Sequence, residues 1–422
     1  MKLNAPRGTN DILPPFSLKW QYIEEVARKV LSNYNYEEIR TPIFEYTELF
    51  QRGIGETTDV VEKEMYTFED KGGRSITLRP EGTASVVRSF MENKLYGLAQ
   101  PQKFYYIGPM FRYERPQAGR FRQFHQFGVE VFGADDPALD AEVISLGVNY
   151  LNRLGLDNLE VYINSIGCPE CREEYLNKLK NYLSAHKEGL CYDCTNRFER
   201  NALRVLDCKE DSCSKIVHDA PSILDNLCEH CAEHFDLVKS YLDSLEINYI
   251  IDDKLVRGLD YYTNTAFEIK YNGLGAQDTV LGGGRYNKLA DEIGGKDIPA
   301  VGFAMGMERL LLILEEQEVE LPIDKDLDLY ITTIGDNAKK AAFKYIYQLR
   351  NNGFKTEIDY LERSVKGQMK AADRMNATYT IILGQDELDS GKASIKNMKN
   401  GEQEEIELKK LLPKMQKIFF DN

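Results

Sequence analysis

All eight cysteines of this 422-residue chain lie between positions 168 and 231, in four closely spaced pairs. The pairs are Cys168 with Cys171, Cys191 with Cys194, Cys208 with Cys213, and Cys228 with Cys231. Paired thiolates at this spacing are typical zinc ligands, and four pairs indicate a metal much more strongly than one does. Four thiolates also complete the coordination shell, so any such zinc is predicted to be structural and to leave no position for a substrate.

The ligand set of this metal stays open at the level of sequence. Two zinc ions with four cysteines each is the simplest arrangement, but mixed sites could use His218, His230 or His234 and leave some thiols free. The alternative without metal is a set of buried, reduced thiols. Disulfides are disfavoured because the N-terminal residues do not resemble a secretory signal, which predicts a cytoplasmic protein with reduced cysteines.

Arginine in apolar, β-rich surroundings is the second feature that could carry chemistry. Arg112 lies in MFRYE, Arg257 in LVRGLDYY and Arg309 in MGMERLLL. Any one of them could form a buried ion pair with a nearby carboxylate. Three of them on separate elements favour a clamp for an oligophosphate, because guanidinium groups match the geometry of phosphate oxygens.

Length and composition limit the classes of protein that need to be considered. A chain of this length exceeds the size of most single cores, so two or three domains are expected. No apolar run approaches the roughly 18 residues of a membrane-spanning helix, which predicts no membrane partner. The net charge of −15 argues against a general polyanion binder, although a local basic surface remains possible.

The arginines must be positioned by strands and helices that the sequence also predicts. Two β-rich runs, 103–114 and 124–133, flank a basic loop and predict an antiparallel hairpin. The sequence GGGRYNKL is interpreted as a glycine-rich link. After it, the apolar series Phe303, Met307, Leu310, Leu311 and Leu314 predicts a buried helix that carries Arg309.

A polar segment, LPIDKD, predicts a domain boundary near its end. Strand-like and helical segments alternate beyond it, which is typical of an α/β unit. The predicted organisation is therefore a catalytic core of residues 1–325, interrupted by a cysteine-rich insertion at 166–235 and followed by a third unit at 326–422.

Five segments together resemble the bacterial histidyl-tRNA synthetase family, which belongs to class IIa of the class II aminoacyl-tRNA synthetases. They are RGTNDILP at 7–14, TLRPEGTASVVR at 77–88, GPMFRYERPQAGRFRQFHQFGVEVFG at 108–133, LVRGLDYYTNTAFE at 255–268 and AVGFAMGMERLLL at 300–312. The resemblance implies an α+β catalytic domain with an antiparallel sheet and helices, an inserted small domain and a C-terminal α/β anticodon-binding domain. It also implies a homodimer, because the segment around Pro42 is similar to the interface motif of the family.

The activity that this resemblance implies is ligation of L-histidine to histidine tRNA, in which ATP is consumed through a histidyl adenylate and Mg is the cofactor. The attacking carboxylate is already ionised, so positioning and charge neutralisation should dominate catalysis. The family pattern assigns Arg112 and Arg257 to opposite sides of the α-phosphate and Arg309 to the γ-phosphate. Glu114 corresponds to the acid beside the adenine amino group, although a surface ion pair with Arg115 is the alternative.

The family pattern also implies a histidine pocket and a contact surface for the tRNA acceptor end. The residues that match the pocket are Glu81, Thr83, Arg112, Gln126, Glu130, Arg257, Tyr261 and Tyr262. Glu81 and Thr83 suit an ammonium group, although a cap for the helix that follows is the alternative for this pair. Glu130 and Tyr262 suit the two nitrogens of an imidazole, with ordinary aromatic packing as the alternative for the tyrosines.

The loop residues that match the acceptor-end surface are Arg115, Gln117 and Arg122, and a solvated loop is their alternative. A second function is weighed as well, that of the synthetase-like regulatory subunit of ATP phosphoribosyltransferase. That relative usually lacks the anticodon domain and has a degraded RGLDYY peptide, and this chain has both features. The ligase is therefore favoured.

Overall fold

The structure is a computed structural model that describes residues 3–55, 58–274, 278–323 and 326–420. Contacts divide the chain into two compact units, Met1–Leu321 and Pro322–Asn422. The predicted domain boundary at position 325 and the predicted ends at positions 1 and 422 lie outside the described residues. No helix in the described ranges combines the length and the apolar character that crossing a bilayer requires.

The first unit contains both the large sheet and the cysteine-bearing segment. Its strands are β1 (Glu37–Glu38), β2 (Phe44–Tyr46), β3 (Tyr66–Glu69), β4 (Ser75–Leu78), β5 (Gln102–Phe111), β6 (Gln123–Phe132), β7 (Leu159–Ser165), β8 (Ile250–Ile251), β9 (Thr263–Tyr271), β10 (Thr279–Arg285) and β11 (Ala300–Gly306). Its helices are α1 (Phe16–Asn33), α2 (Thr47–Ile54), α3 (Thr83–Glu92), α4 (Pro137–Arg153), α5 (Pro169–Ala185), α6 (Tyr192–Arg197), α7 (Leu203–Leu206), α8 (Asp211–His218), α9 (Glu229–Ser244), α10 (Leu289–Glu292) and α11 (Met307–Glu316).

The large sheet has the strand order β1-β5-β6-β11-β10-β9-β7-β8. Its inner pairs are antiparallel, and the two outermost pairs, β1 with β5 and β7 with β8, are parallel. The predicted hairpin is confirmed as β5 and β6, in the register that places Gly108 opposite Gln126. A smaller sheet has the order β2-β4-β3.

Side chains along β6 alternate between the two faces of the large sheet. Phe127, Val129 and Val131 pack into a core that also contains residues of α1, α4 and α11. Gln126 and Glu130 occupy the alternate positions and are directed to the opposite face, where both are buried. That opposite face therefore carries the polar side chains that need a partner.

Two predictions of local structure in this unit are wrong. The glycine-rich link is the end of β10, a strand in the middle of the sheet. Phe303 belongs to β11 rather than to the helix that follows, and α11 begins at Met307. The interval of four residues between Phe303 and Met307 fits a helix, but the two side chains reach the same core from a strand and from a helix.

The cysteine-bearing segment folds as two long helices, α5 and α9, with short helices between them, and α9 packs on α4. A buried ionic group secures this contact. Arg285, which is fully buried, pairs with Asp140 at 2.6 Å, and His234 Nε2 lies 3.4 Å from the same carboxylate. Since α9 continues to Ser244, it joins the cysteine-bearing segment to the core of the first unit.

The second unit has an α/β fold of its own, as predicted. Its elements are β12 (Leu327–Thr333), α12 (Asp336–Arg350), β13 (Thr356–Ile358), α13 (Val365–Arg374), β14 (Ala377–Leu383), α14 (Gln385–Ser390), β15 (Lys392–Asn397), β16 (Gln403–Glu407) and α15 (Leu411–Phe419). The sheet order is β13-β12-β14-β15-β16, parallel across the first three strands and antiparallel across the rest.

Candidate active site

Glu130 lies at the centre of a buried polar group on the face of the large sheet opposite the core that contains Phe127 and Val129. The hydroxyls of Thr83 and Tyr106 donate to its Oε1 at 2.7 and 3.4 Å, and the Tyr286 hydroxyl donates to Oε2. Burial raises the pKa of Glu130 to about 8, although the three hydroxyls oppose that shift. The carboxyl group is therefore mostly neutral at pH 7.

Glu81 caps helix α3, so the cap considered as the alternative for the Glu81–Thr83 pair comes from Glu81 and not from Thr83. The two Glu81 carboxylate oxygens accept the backbone N–H groups of Thr83 at 2.6 Å and Ala84 at 2.9 Å. The N-cap position itself is Gly82, which has no side chain to offer. Thr83 is the first helical residue, and its hydroxyl is free to reach Glu130. Burial raises the pKa of Glu81.

Three tyrosine rings close the side of this polar group. Tyr261 and Tyr262 are 3% and 7% exposed, and their ring centroids lie 4.6 Å apart. Tyr286 meets Tyr261 edge-on at 5.6 Å. The tyrosines therefore do pack as aromatic groups, and they also supply polar hydroxyls to a buried surface.

Gln126 contributes an unsatisfied acceptor to the same face. It is 8% exposed, and its side-chain carbonyl oxygen has no hydrogen-bond partner among the described residues. Such a group is costly in a folded protein unless a ligand or water satisfies it. The neighbouring strands place Gly108 and Gly306 opposite Gln126, so no side chain of these partners fills the space next to it.

Arg257 reaches the sheet over a glycine. Its guanidinium pairs with Glu268 on β9, which also accepts the Thr279 hydroxyl at 3.0 Å. A Cβ atom on Gly282 would lie closer than 3.0 Å to the Arg257 guanidinium, so only glycine leaves room for it. The guanidinium carbon also lies 6.0 Å from the ring centroid of Tyr262. The ion-pair alternative and the binding-site prediction are thus compatible for this arginine.

Arg112 lies at the other end of the site, just after β5. Its Nε donates to the Pro80 carbonyl at 2.8 Å, and its guanidinium stacks on Phe124 with 5.3 Å to the ring centroid. Glu114 pairs with Arg112 at 3.8 Å and with Arg120 at 3.0 Å. The alternative partner considered for Glu114, Arg115, is not its partner in the ion pairs of the described residues.

Arg309 projects from α11 toward the same region and donates to the Thr279 carbonyl oxygen. Burial lowers the pKa of Arg309 and the charge of Arg120 lowers it further, while Glu114 and Glu268 act in the opposite direction. These electrostatic neighbours come from the β5–β6 loop and from β9. The surroundings of Arg112, Arg257 and Arg309 therefore converge on one region of the site.

The β5–β6 loop carries the remaining predicted residues. Arg115 and Gln117 are exposed, and Arg122 stacks on Tyr113 at 3.8 Å and donates to the Glu114 carbonyl. The backbone N–H of Arg122 also donates to the Gly8 carbonyl at 2.7 Å, which ties the loop to the N-terminal segment. The loop thus presents polar side chains outward from a fixed base.

His125 is occupied by a structural contact. Its Nδ1 lies 2.9 Å from Glu308 Oε1, its backbone N–H donates to the same carboxylate, and its ring meets Trp20 edge-on. The histidine is thereby committed to holding β6 against α11 rather than facing the polar group around Glu130.

The eight cysteines fall into two groups, each with its sulfur atoms within 4.8 Å of one another. The first, named the Cys168 cluster, consists of Cys168, Cys171, Cys228 and Cys231. The second, named the Cys191 cluster, consists of Cys191, Cys194, Cys208 and Cys213. The first sequence pair therefore joins the fourth, and the second joins the third, a pairing that spacing alone did not determine.

Sequence reasoning missed several residues of the site, namely Tyr106, Arg120, Glu268 and Tyr286. Tyr106 could have been found from the hairpin, since it faces Gly128 on the same side as Gln126. Tyr286 could not, because it follows a strand that was interpreted as a link. Glu268 was in a matched segment, but only the fold brings it to Arg257.

The large sheet, antiparallel in its inner pairs, agrees with the family models that match the chain, and both place it among the class II aminoacyl-tRNA ligases. The family model described as histidyl-tRNA synthetase matches residues 8–310, and the one described as anticodon binding domain matches residues 328–418. The histidine–tRNA ligase of Halothermothrix orenii is 66% identical over 99% of this chain and 100% of its own length. The chain belongs to the histidyl-tRNA synthetase family, and the predicted family is confirmed.

Solved structures agree with this assignment. Apo histidyl-tRNA synthetase of S. aureus is 46% identical with a TM-score of 0.85, covering 98% of this chain and 100% of that one. A Bacillus halodurans C structure described as an ATP phosphoribosyltransferase regulatory subunit/histidyl-tRNA synthetase is 21% identical with a TM-score of 0.66, covering 90% and 98%. At that identity the second likeness shows the fold alone, so the regulatory-subunit alternative has less support than the ligase.

Proposed function

We propose that the chain joins L-histidine to histidine tRNA in two steps. Histidine first attacks the α-phosphate of ATP to give histidyl adenylate and diphosphate, and the 3′-terminal hydroxyl of the tRNA then displaces AMP. The observation that supports the proposal is that Arg112, Arg257 and Arg309 share carboxylate neighbours, with Arg257 beside Tyr262 of the polar group that contains Glu130. The pocket offers unsatisfied polar groups, and the arginines offer positive charge for phosphates.

In the first step the three arginines neutralise and align the triphosphate. Arg112, fixed through the Pro80 carbonyl, contacts the α-phosphate and the histidine carboxylate, and Arg257 approaches the α-phosphate from the other side. Arg309 takes the γ-phosphate, and Glu114 receives the adenine amino group. Positioning and electrostatic stabilisation suffice, because the attacking carboxylate is already ionised.

The histidine pocket discriminates through buried hydrogen bonds. Glu81 and Thr83 accept hydrogen bonds from the ammonium group. Glu81 can do so while it caps α3, because each of its oxygen atoms has a second lone pair. Glu130 and Gln126 accept hydrogen bonds from the imidazole ring, and Tyr262 forms a hydrogen bond with the second ring nitrogen. An analogue that lacks ring nitrogens leaves these groups unpaired, which should reject it strongly.

Magnesium would enter this site with ATP. Among the described residues, the groups of three or more metal-ligating side chains are the two cysteine clusters, and thiolates are not the ligands that magnesium prefers. Phosphate oxygens and water would therefore supply most ligands of the ion, as is usual for magnesium. The arginines share the task of neutralising the phosphates.

The tRNA is proposed to meet both units of the chain. Arg115, Gln117 and Arg122 on the β5–β6 loop contact the acceptor end, where charged and amide groups suit phosphates and base edges. The second unit, which matches the anticodon binding domain, contacts the anticodon.

We also propose a homodimer and a cytoplasmic location. The segment after Pro42 exposes Ile43, Phe44 and Tyr46 at 45%, 56% and 55%, an apolar surface that a second subunit could cover.

Histidine-dependent exchange of labelled pyrophosphate into ATP tests the first step directly. The folded protein should support exchange with histidine and none with phenylalanine, which lacks both ring nitrogens. Absence of exchange from folded, histidine-supplied protein would contradict the proposal. Exchange without charging of histidine tRNA would limit it to the first step.

A further inference from the structure

The two cysteine clusters are unexplained by the proposed reaction, and their geometry is that of a metal site. The sulfur atoms of Cys168 and Cys171 lie 3.6 Å apart, those of Cys171 and Cys231 3.8 Å, and those of Cys191 and Cys208 3.9 Å. A tetrahedral zinc with bonds of about 2.3 Å separates its sulfur ligands by about 3.8 Å. The sulfur–sulfur distances in both clusters therefore match those around a single tetrahedral zinc ion.

The backbone around each cluster also favours thiolates. Cys168 and Cys228 are the N-cap residues of α5 and α9, where the helix dipole favours negative charge. The N–H groups of Cys168 and Cys191 donate to the sulfurs of Cys171 at 3.2 Å and Cys213 at 3.1 Å. Such bonds stabilise a thiolate more than a thiol, because only the thiolate carries the charge.

A glycine and an arginine further adapt the Cys168 cluster to an anionic metal site. Gly167 adopts a φ of +67°, and a Cβ atom there would lie 2.5 Å from the Cys171 sulfur. Zinc with four thiolates carries a net charge of −2, which needs a nearby cation. Arg172 directly follows Cys171, and its guanidinium donates to the Gly167 carbonyl at 3.4 Å beside the cluster.

The histidines of this segment are not placed to replace cysteine ligands. His218 and His230 are exposed, and His234 lies against Asp140. The structure therefore does not support the zinc sites of mixed cysteine and histidine ligands that the sequence left open. An iron–sulfur cluster distributes its cysteines over several irons and would hold the sulfurs farther apart than a single ion does.

The Cys168 cluster is joined to the peptide that carries the pocket tyrosines. Asn264 Nδ2 donates to the Cys231 sulfur at 3.5 Å, and its backbone N–H donates to the Gly167 carbonyl at 3.0 Å. The Ile166 N–H donates to the Asn264 carbonyl at 2.7 Å, and Arg172 donates to the Tyr262 carbonyl. The ligand loop and residues 262–264 therefore hold one another in place.

The Cys191 cluster has different surroundings. Its ligands belong to α6, to α8 and to the loop that precedes α8, so it joins the short helices to one another. Side chains of α6, of α7 and of the loop between them contact the catalytic part. Arg197 and Arg204 pair with Asp59 at 3.3 and 3.4 Å, and Asn201 donates to Asp260 at 2.8 Å.

We propose that each cluster binds one zinc ion through four thiolates and that the ion of the Cys168 cluster positions the Tyr261–Tyr262 peptide of the histidine pocket. Binding of each ion releases four thiol protons to the solvent and changes no oxidation state. The positioning part rests on the proposed histidine activation, whereas the metal part does not. Arg172 and Asn264 act as positioning residues between the ion and the pocket.

Metal content tests the first part independently of activity. The full chain, purified without added metal, should contain about two zinc ions per chain by elemental analysis. The double variant Cys228→Ser/Cys231→Ser should contain about one, as should Cys208→Ser/Cys213→Ser. The control His218→Ala/His230→Ala should keep both ions. Reduced thiols without metal, or iron in place of zinc, would overturn the metal part.

X-ray absorption on the unmodified protein keeps this test decisive if the cysteine variants do not fold. The zinc spectrum should show a shell of sulfur alone at about 2.3 Å. A shell containing nitrogen would refute the tetrathiolate assignment, because it would require a histidine ligand.

The positioning part is tested by comparing the two cysteine variants in pyrophosphate exchange. Removing the Cys168 ion should raise the KM for histidine about tenfold or more and change the KM for ATP much less. Removing the ion of the Cys191 cluster should raise the KM for histidine clearly less. Equal effects of the two variants would overturn the positioning role. If the unmodified protein fails to catalyse exchange, the proposed reaction fails while the metal counts stand.

Discussion

Glu130 should make the first unit less stable as the pH rises through neutrality. Its pKa is about 8 in the folded protein, well above that of an ordinary exposed glutamate, because the carboxyl group is buried. Between the two pKa values the folded chain holds a proton that the unfolded chain has released. The contribution of Glu130 to the free energy of unfolding should therefore be fully present below its unfolded-state pKa. It should be lost as the pH rises through its folded-state pKa.

The size of this contribution follows from the one proton involved. Linkage gives a loss of about 1.4 kcal/mol per pH unit while the difference in bound protons is one. From about pH 5.5 to pH 7.5 the contribution of Glu130 falls by roughly 2–3 kcal/mol. That change is a large fraction of the stability of an ordinary domain.

The substitution Glu130→Gln removes the titration and keeps the size of the side chain. The single tryptophan of the chain, Trp20, is 6% exposed in the core of the first unit, so its fluorescence reports unfolding of that unit in urea. The difference in unfolding free energy between the protein and Glu130→Gln should change with pH by the amount above. Glu25→Gln, on an exposed position of α1, is the matched control and should give a flat difference. Parallel pH profiles for the protein and Glu130→Gln would refute the assignment of a neutral, buried carboxyl group.

Other substitutions test the phosphate site, the sheet and the loop. Arg257→Ala should lower the adenylation rate by tenfold or more while changing histidine affinity far less, measured by single-turnover kinetics and calorimetry; equal losses would count against its role. Gly302→Ala places a Cβ closer than 3.0 Å to a Glu130 carboxyl oxygen and should destabilise the unit by about 1–3 kcal/mol, whereas Gly306→Ala, with open space, should be near neutral in urea unfolding. Arg115→Ala should slow transfer to tRNA and lessen its salt dependence while pyrophosphate exchange continues, and a uniform loss in both assays would refute a contact confined to tRNA.

The β5–β6 hairpin could be predicted from sequence because two local signals agree there, namely the two β-rich runs and the polar loop between them. Residues 124–133 alternate strictly enough to fix which side chains share a face, and Gln126 and Glu130 stand out as polar residues on it. An unpartnered carboxyl group in an apolar strand already indicates a ligand or a hydrogen-bond network. The structure adds that Thr83, Tyr106 and Tyr286 supply such a network from three other elements.

The remaining parts of the site depend on contacts that have no local signal. Thr83 resembles an N-cap, but Glu81 reaches around Gly82 and supplies both acceptors, which only the backbone geometry reveals. The pairing of Arg257 with Glu268 requires the position of β9 in the sheet. The assortment of the cysteine pairs is equally hidden, since Cys171 and Cys231 meet through the packing of α5 and α9.

The glycines of β10 and β11 explain why the site was easier to recognise by motif than by periodicity. Strand residues normally fill both faces of a buried sheet, and a glycine run inside a strand weakens it. Here the missing side chains are replaced by large polar groups from other elements: Arg257 occupies the space over Gly282, and Glu130 the space beside Gly302. A sequence pattern that reads as loss of structure is therefore the condition for placing a guanidinium and a carboxyl group against the sheet. The cysteine-rich segment shows the opposite case. Its strong local signal marks two groups of four cysteines, and a zinc ion bound by all four thiolates of a group would have no coordination position left for a substrate.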